Sequence, residues 1–455
     1  MNSLPSTALI AASVLLPLLY PLLALRGVWR GALRALLPLL PLPALVLALL
    51  SASPWTLELP WLVLGSTWML DELRRSFLLL TALLWSTAGL YAAGYLGAEQ
   101  LRRFCVFWGF TLAGNLGLVL AGDMASFYMF FTVMTFAGYG LVVHEGSDRA
   151  CFAGRVYLVM ALIGEMALLA GFLLAFRAAD SLLLADVAAA ITTTGTDGWL
   201  IAALFLAGFG VKAGLPLLHF WLPLAHPVAP TPASAVLSGA MIKAGLLGWL
   251  LTLPIGESGW APWGQFLMVL GFVGSLGAVL PGALQRDPKT VLAWSSISQM
   301  GLMAVLVGAA LAAPGHAPLL VPLIALFALH HGLAKGCLFL AVGLVLPASR
   351  VLRLLLWLLL ALPVVSLLGL PFTSGALAKG VMKDTLLALP GLPLGSQLPL
   401  LLQAATLATL VLVARYAWLL WRQLQPGTVA TARWAGWALA VLCSAVLFWY
   451  LPGVG

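Results

Sequence analysis

Apolar stretches of roughly 20 residues recur along this chain almost without pause, separated by short segments rich in arginine, glycine and proline. A helix of about 20 residues spans a bilayer core of about 30 Å. The stretches are continuously apolar and Leu/Ala-rich, whereas barrel strands alternate over about 10 residues. The pattern therefore predicts an all-α polytopic membrane protein with fourteen transmembrane helices, at 7–25, 36–52, 76–96, 104–122, 124–143, 156–176, 199–220, 233–253, 264–284, 290–312, 318–346, 354–388, 400–421 and 434–451. The first stretch has no basic residue ahead of it and no small-residue cleavage signal behind it, so it reads as a span and not as a signal peptide. The longest loop, 177–198, contains Asp180, Asp186, Asp197 and an "ITTTGTDG" run and reads as surface turn.

Composition supports the same class: of 455 residues 63% are hydrophobic and 8% charged, and the mean hydropathy is +1.09. A net charge of +8 would suggest nucleic acid in a soluble protein, but here the basic residues anchor loops and no nucleic-acid partner is expected. Odd-numbered loops carry Arg26, Arg30, Arg34, Arg102, Arg103, Arg149, Arg155, Arg286, Arg350, Arg353, Arg422 and Arg433, while even loops carry only Arg74, Arg75 and Arg177. The positive-inside rule then places odd loops in the cytoplasm and both termini on the periplasmic side of a bacterial inner membrane. Cys105, Cys151, Cys337 and Cys443 are far apart and form no C-x-x-C pair. Neither disulfides nor metal or iron–sulfur ligation is expected, and no Gly-rich phosphate loop is present.

The lysines behave differently from the sixteen arginines, which all fall in loops or at helix ends. Of six lysines only Lys289 reads as a loop residue; Lys212, Lys243, Lys335, Lys379 and Lys383 fall inside predicted spans. A cation at mid-bilayer costs about 2.5–3.5 kcal/mol on the lenient insertion scale. One such lysine can snorkel to a headgroup, which suits Lys383 best; a set of them needs a compensating role. Lysine can release a proton when buried, whereas a guanidinium cannot. Glu165, His330 and His331 are also intramembrane, with His331 and Lys335 at i and i+4 on one helix face. The series suits proton relay.

Two of these lysines lie beside helix breakers. Lys212 precedes Gly214, Pro216 and Pro223; Lys379 follows "LLGLPFTSG", which holds Pro371 and Gly375. Proline frees a carbonyl that must be satisfied by protein or water inside a bilayer, so such breaks mark polar cavities. Broken helices five apart fit two inverted five-helix repeats, helices 4–8 over 104–253 and helices 9–13 over 264–421. Residues 1–100 then form N-terminal helices 1–3, and 434–455 a C-terminal helix.

The segments "KAGLPLLHFWLPLAHPVAPTPASAVLSGAMIKAGLLGWL" (Lys212 to Leu250), "DPKTVLAWSSISQMGLM" (Asp287 to Met303), "HHGLAKGCLFLAVG" (His330 to Gly343) and "GLPFTSGALAK" (Gly369 to Lys379) resemble the antiporter-like subunits of respiratory complex I, Mrp-type antiporters and membrane-bound hydrogenases. The resemblance implies a lysine at the helix 7 break paired with a carboxylate, a helix 8 lysine linking the halves, and a helix 11 and 12 exit route. These roles fall on Lys212, Lys243, His331 with Lys335, and Lys379. The family's usual helix 5 glutamate is missing: "FYMFFTVMTFAGYG" carries Thr132 in its place. The pairing with Lys212 is therefore assigned to Glu165 in helix 6.

The resemblance implies a proton- or cation-translocating subunit of a hetero-oligomeric membrane complex, coupled to a peripheral redox partner of complex I or hydrogenase type and carrying no cofactor itself. A gradient-consuming subunit of an Mrp-type antiporter or inorganic-carbon uptake complex is the alternative, together with a quinone-binding redox subunit and a non-pumping scaffold.

Overall fold

The computed structural model describes residues 4–27, 29–50, 54–428 and 430–450. It opens with α1 (Leu4–Leu25), followed by α2 (Arg30–Leu36) and α3 (Leu42–Leu50). The sequence predicts one span over 36–52 here, of which 51 and 52 lie outside the described residues. Instead the chain turns at 37–41, between α2 and α3, where Pro38 and Pro41 withdraw backbone donors. An antiparallel hairpin, β1 (Trp55–Leu59) and β2 (Ser66–Leu70), follows in what was expected to be plain loop. Asp123 pins it: one carboxylate oxygen accepts from Thr67 N at 2.7 Å while the other caps the next helix through Ser126 N at 2.7 Å.

The helices that follow are α4 (Glu72–Tyr95), α5 (Leu101–Leu120), α6 (Met124–Val142), α7 (Asp148–Ala179), α8 (Leu184–Thr193), α9 (Thr196–Ala213) and α10 (Trp221–Val228). α8 corrects the reading of 177–198 as surface turn: it lays Leu184, Val187 and Ile191 inward at helical spacing and is amphipathic, not irregular. Next come α11 (Thr231–Val236), a π-helical turn over Leu237–Met241, and α12 (Lys243–Thr252), which together make one membrane-length column. α13 (Ala261–Gly277), α14 (Val279–Ala283), α15 (Pro288–Ala312) and α16 (Ala317–Val342) follow. The predicted span at 354–388, expected to break at Pro371 and Gly375, is two helices: α17 (Arg350–Leu368) and α18 (Ser374–Ala388). α19 (Leu398–Gln423) and α20 (Thr431–Tyr450) complete the described chain, and residue 451 of the predicted last span lies outside it.

Twelve helices among the described residues are long and apolar enough to cross a membrane. Of the fourteen expected spans, the broken pair α2 and α3 and α20, of which only Thr431–Leu447 enters that count by length, account for the difference. The fold is helical with a buried centre: the apolar window of α15 is 94% buried and that of α11–α12 89%, against 28% for α17 at the rim. Exposed side chains of the outer helices, such as Leu162, Ile163, Met166, Leu354 and Leu358, are apolar, as a lipid-facing surface requires.

Candidate functional site

α9 stops one residue beyond Lys212 because Gly214 takes a left-handed conformation, φ 76°. The break exposes carbonyls that the protein then satisfies: the Trp221 indole donates to Val211 O at 2.8 Å. Lys212 is buried, with its ammonium 5.4 Å from the Phe131 ring centre, 5.5 Å from Tyr157 and 5.9 Å from Trp221, an aromatic cage suited to a cation. Its Nζ lies 3.5 Å from the Tyr157 hydroxyl, which in turn donates to Thr135 O at 2.8 Å.

Glu165 faces the same cavity from α7. Its Oε2 accepts a 2.7 Å hydrogen bond from Thr132 Oγ1, and its Oε1 has no partner among the described residues. Phe131, Thr135, Tyr157, Glu165, Lys212 and Trp221 line a space of about one water molecule. Glu165 and Lys212 thus share a cavity without closing a direct ion pair; the two ion pairs among the described residues are Arg74–Asp71 and Arg177–Asp197. Thr132, at the position the resemblance assigns to an acid, touches the acid that α7 supplies.

A second group sits where α12 meets α16. The π turn leaves Ser238 O free of its usual helical donor, and Lys243 Nζ donates to it at 2.8 Å. The same ammonium lies 2.8 Å from His331 Nδ1. Gly239 and Gly332 make this contact possible: a Cβ on Gly332 would lie 2.5 Å from Gly239 O, so only glycines let the two backbones approach. Lys335 Nζ donates to Leu292 O at 2.9 Å, as does Ser296 Oγ at 2.9 Å, and Ser296 Oγ lies 2.8 Å from Ser238 Oγ. The hydroxyls and carbonyls of Ser238, Ser296 and Leu292 thus lie between Lys243 and Lys335, with the step from Ser238 O to Ser238 Oγ running within one residue.

The third group lies at the α17–α18 break, where Gly369 (φ 78°) and Phe372 (φ 63°) turn the chain. His330 Nδ1 lies 2.9 Å from Ser374 Oγ, Ser366 Oγ 3.2 Å from the same oxygen, and half-buried Lys379 donates to Leu367 O at 2.6 Å. His330 and His331 lie on different helix faces, as adjacent residues about 100° apart must: one meets Ser374 at the break, the other Lys243. Among the described residues no direct side-chain hydrogen bond joins the three groups.

Pro216 and Pro223 flank the α9 break as expected, and Lys383 is exposed. Lys289 corrects the sequence reading: it lies in the first turn of α15, is buried, and donates to Ala229 O at 2.8 Å. His226 lies outside the predicted spans. It belongs to α10, is fully buried, stacks on Phe339 at 4.6 Å, and neither ring nitrogen has a partner among the described residues. The signal available in the sequence was its place in a run, Trp221 to Val228, that is apolar enough to fold inward. Ser238 and Ser296 were also missed, because serine on an apolar helix ordinarily bonds its own backbone.

A polytopic helical membrane protein with two interrupted helices, each carrying a lysine beside the break, is the class these features define. The profile of the family described as "NADH:quinone oxidoreductase/Mrp antiporter, TM" matches residues 121–388, so the chain belongs to that family. It is 33% identical over 295 residues to hydrogenase-4 component B of Escherichia coli strain K12, covering 62% of this chain and 43% of that protein. It is 29% identical over 315 residues to NADH-quinone oxidoreductase subunit N of Desulforudis audaxviator, covering 66% and 60%. The Mrp complex from Dietzia sp. DQ12-45-1b contains a chain of the same fold, with TM-score 0.82 at 23% identity over 97% of this chain and 50% of that one. The chain spans about half the length of the curated relatives it matches.

Proposed function

We propose that this chain is a proton-translocating, antiporter-like subunit of a hetero-oligomeric inner-membrane complex, with both termini periplasmic. Energy comes from a redox partner. The carrying observation is the shared cavity of Glu165 and Lys212, with Thr132 hydrogen-bonded to the carboxylate. Lys212 holds a proton facing the Glu165 carboxylate. When a partner subunit perturbs that pair, the proton passes to the Lys243, His331 and Lys335 group, then through His330 to Lys379 at the second break. Water or a side-chain swing closes each gap between the three groups. The 104–253 and 264–421 halves meet at the Lys243–His331 contact, which makes that contact the crossing point. A charge moved across 100 mV is worth about 2.3 kcal/mol, a step that a few side-chain contacts can match.

The direct test is an exchange of the acid between helices. Glu165→Gln keeps the shape, removes the charge and should abolish transport. Thr132→Glu combined with Glu165→Thr places a carboxylate in the same cavity from α6 and should restore a measurable fraction of wild-type flux. A double variant as inactive as Glu165→Gln, in a complex that still assembles, would refute the pairing. Mass spectrometry of the complex purified from its native membrane identifies the energy source: subunits with metal centres support redox drive, whereas only antiporter-like or carbon-handling subunits would assign the work to an ion gradient.

A further inference from the structure

We infer that the face formed by α1 and the α2–α3 turn binds one anionic phospholipid, with its acyl chain in an apolar groove and its headgroup at Arg26 and Arg30. The groove measures about 400 Å³ and is lined by Leu16, Leu19, Leu23, Leu36 and Leu39, with Arg26 at its end. That is within the roughly 300–1,000 Å³ of small-molecule sites.

The groove exists because the chain does not form the predicted helix over 36–52. Pro38 and Pro41 hold 37–41 as a turn, and Leu39 and Leu40 of that turn form one wall of the groove beside Leu36 of α2. Its floor is fixed: the buried Tyr20 hydroxyl donates to Leu33 O at 2.7 Å and lies 2.9 Å from Cys105 Sγ, tying α1 to α2 and α5.

Length and charge select the occupant. From Leu16 to Arg26 is ten residues, a rise of about 15 Å, or half of a hydrocarbon core of about 30 Å. The groove is therefore one leaflet deep, and the arginine stands where a headgroup begins. Arg26 and Arg30 take part in neither ion pair among the described residues. Arg102 adds a third cation at the mouth, donating to Gly27 O at 3.0 Å. A neutral headgroup would leave this charge unanswered; a phosphate with a net negative charge answers it. On the proposed topology this is the cytoplasmic leaflet, where anionic lipids attract basic segments.

The test uses the assembled complex, purified in mild detergent in the presence of equal phosphatidylglycerol and phosphatidylethanolamine, with bound lipid counted by native mass spectrometry. Wild type should retain one phosphatidylglycerol per copy of this chain. Arg26→Gln/Arg30→Gln should weaken that retention about 30-fold, and Leu19→Trp/Leu23→Trp, which fills the groove, should remove it. Three results would overturn the inference: equal retention in both variants, phosphatidylethanolamine held as well as phosphatidylglycerol, or a Leu19→Cys variant that cross-links to a partner subunit. Transport unaffected by loss of the lipid would leave the site intact, since binding alone is measured.

Discussion

Lys243→Ala abolishes ion movement through this chain and leaves the complex assembled. Lys243 is buried where α12 meets α16, bonded to Ser238 O on its own column and to His331 on α16. No carboxylate is bonded to it, so its removal strands no buried anion; Ser238 O loses its donor, a cost of about 1–3 kcal/mol spread over a large helical fold. Loss of a positioned proton carrier lowers rates by about 10²–10⁴, which a flux assay with pH-sensitive dye reads easily. Lys243→Arg should also fail, because a guanidinium keeps its proton. Transport and assembly lost together would assign Lys243 a structural role instead.

Gly375→Ala disrupts the second break. A Cβ at Gly375 would lie 1.7 Å from Ser366 O and 2.9 Å from His330 Cε1. A backbone oxygen cannot rotate aside as a side chain does, so α17 and α18 must separate, and overpacking of this kind costs about 1–3 kcal/mol or more. The Ser366, Ser374 and His330 contacts spread apart with the helices. Expected are a lower unfolding temperature and slower transport. Gly380→Ala is the matched control, on the same helix with nothing within 4 Å of its Cβ, and should change neither. Equal behaviour of the two variants would show that the α17–α18 contact carries no weight.

Helix existence, the broken helices and the identity of the buried amines were legible in the sequence because each rests on one-dimensional signals: span length, proline position and intramembrane charge. Three features were not. The α2–α3 turn was read through because its prolines sit in a run as apolar as any span. α8 was missed because two aspartates and a threonine run mask four inward apolar positions. Lys289 and His226 are hidden for a different reason: both lie at helix ends in the sequence, and only packing of α10 against α15 and α16 buries them. The Glu165 assignment came from elimination, since no other acid lies nearby in a span. Thr132 donates a hydrogen bond to that carboxylate, a contact that no spacing rule contains.

The most direct measurement is potential-driven proton flux in proteoliposomes holding the purified complex, wild type beside Lys212→Ala, at matched protein content. Translocation through this chain predicts flux in the wild type and its loss in the variant, with the complex intact by size-exclusion chromatography. Undiminished flux through Lys212→Ala would make this chain a scaffold and place the ion path elsewhere.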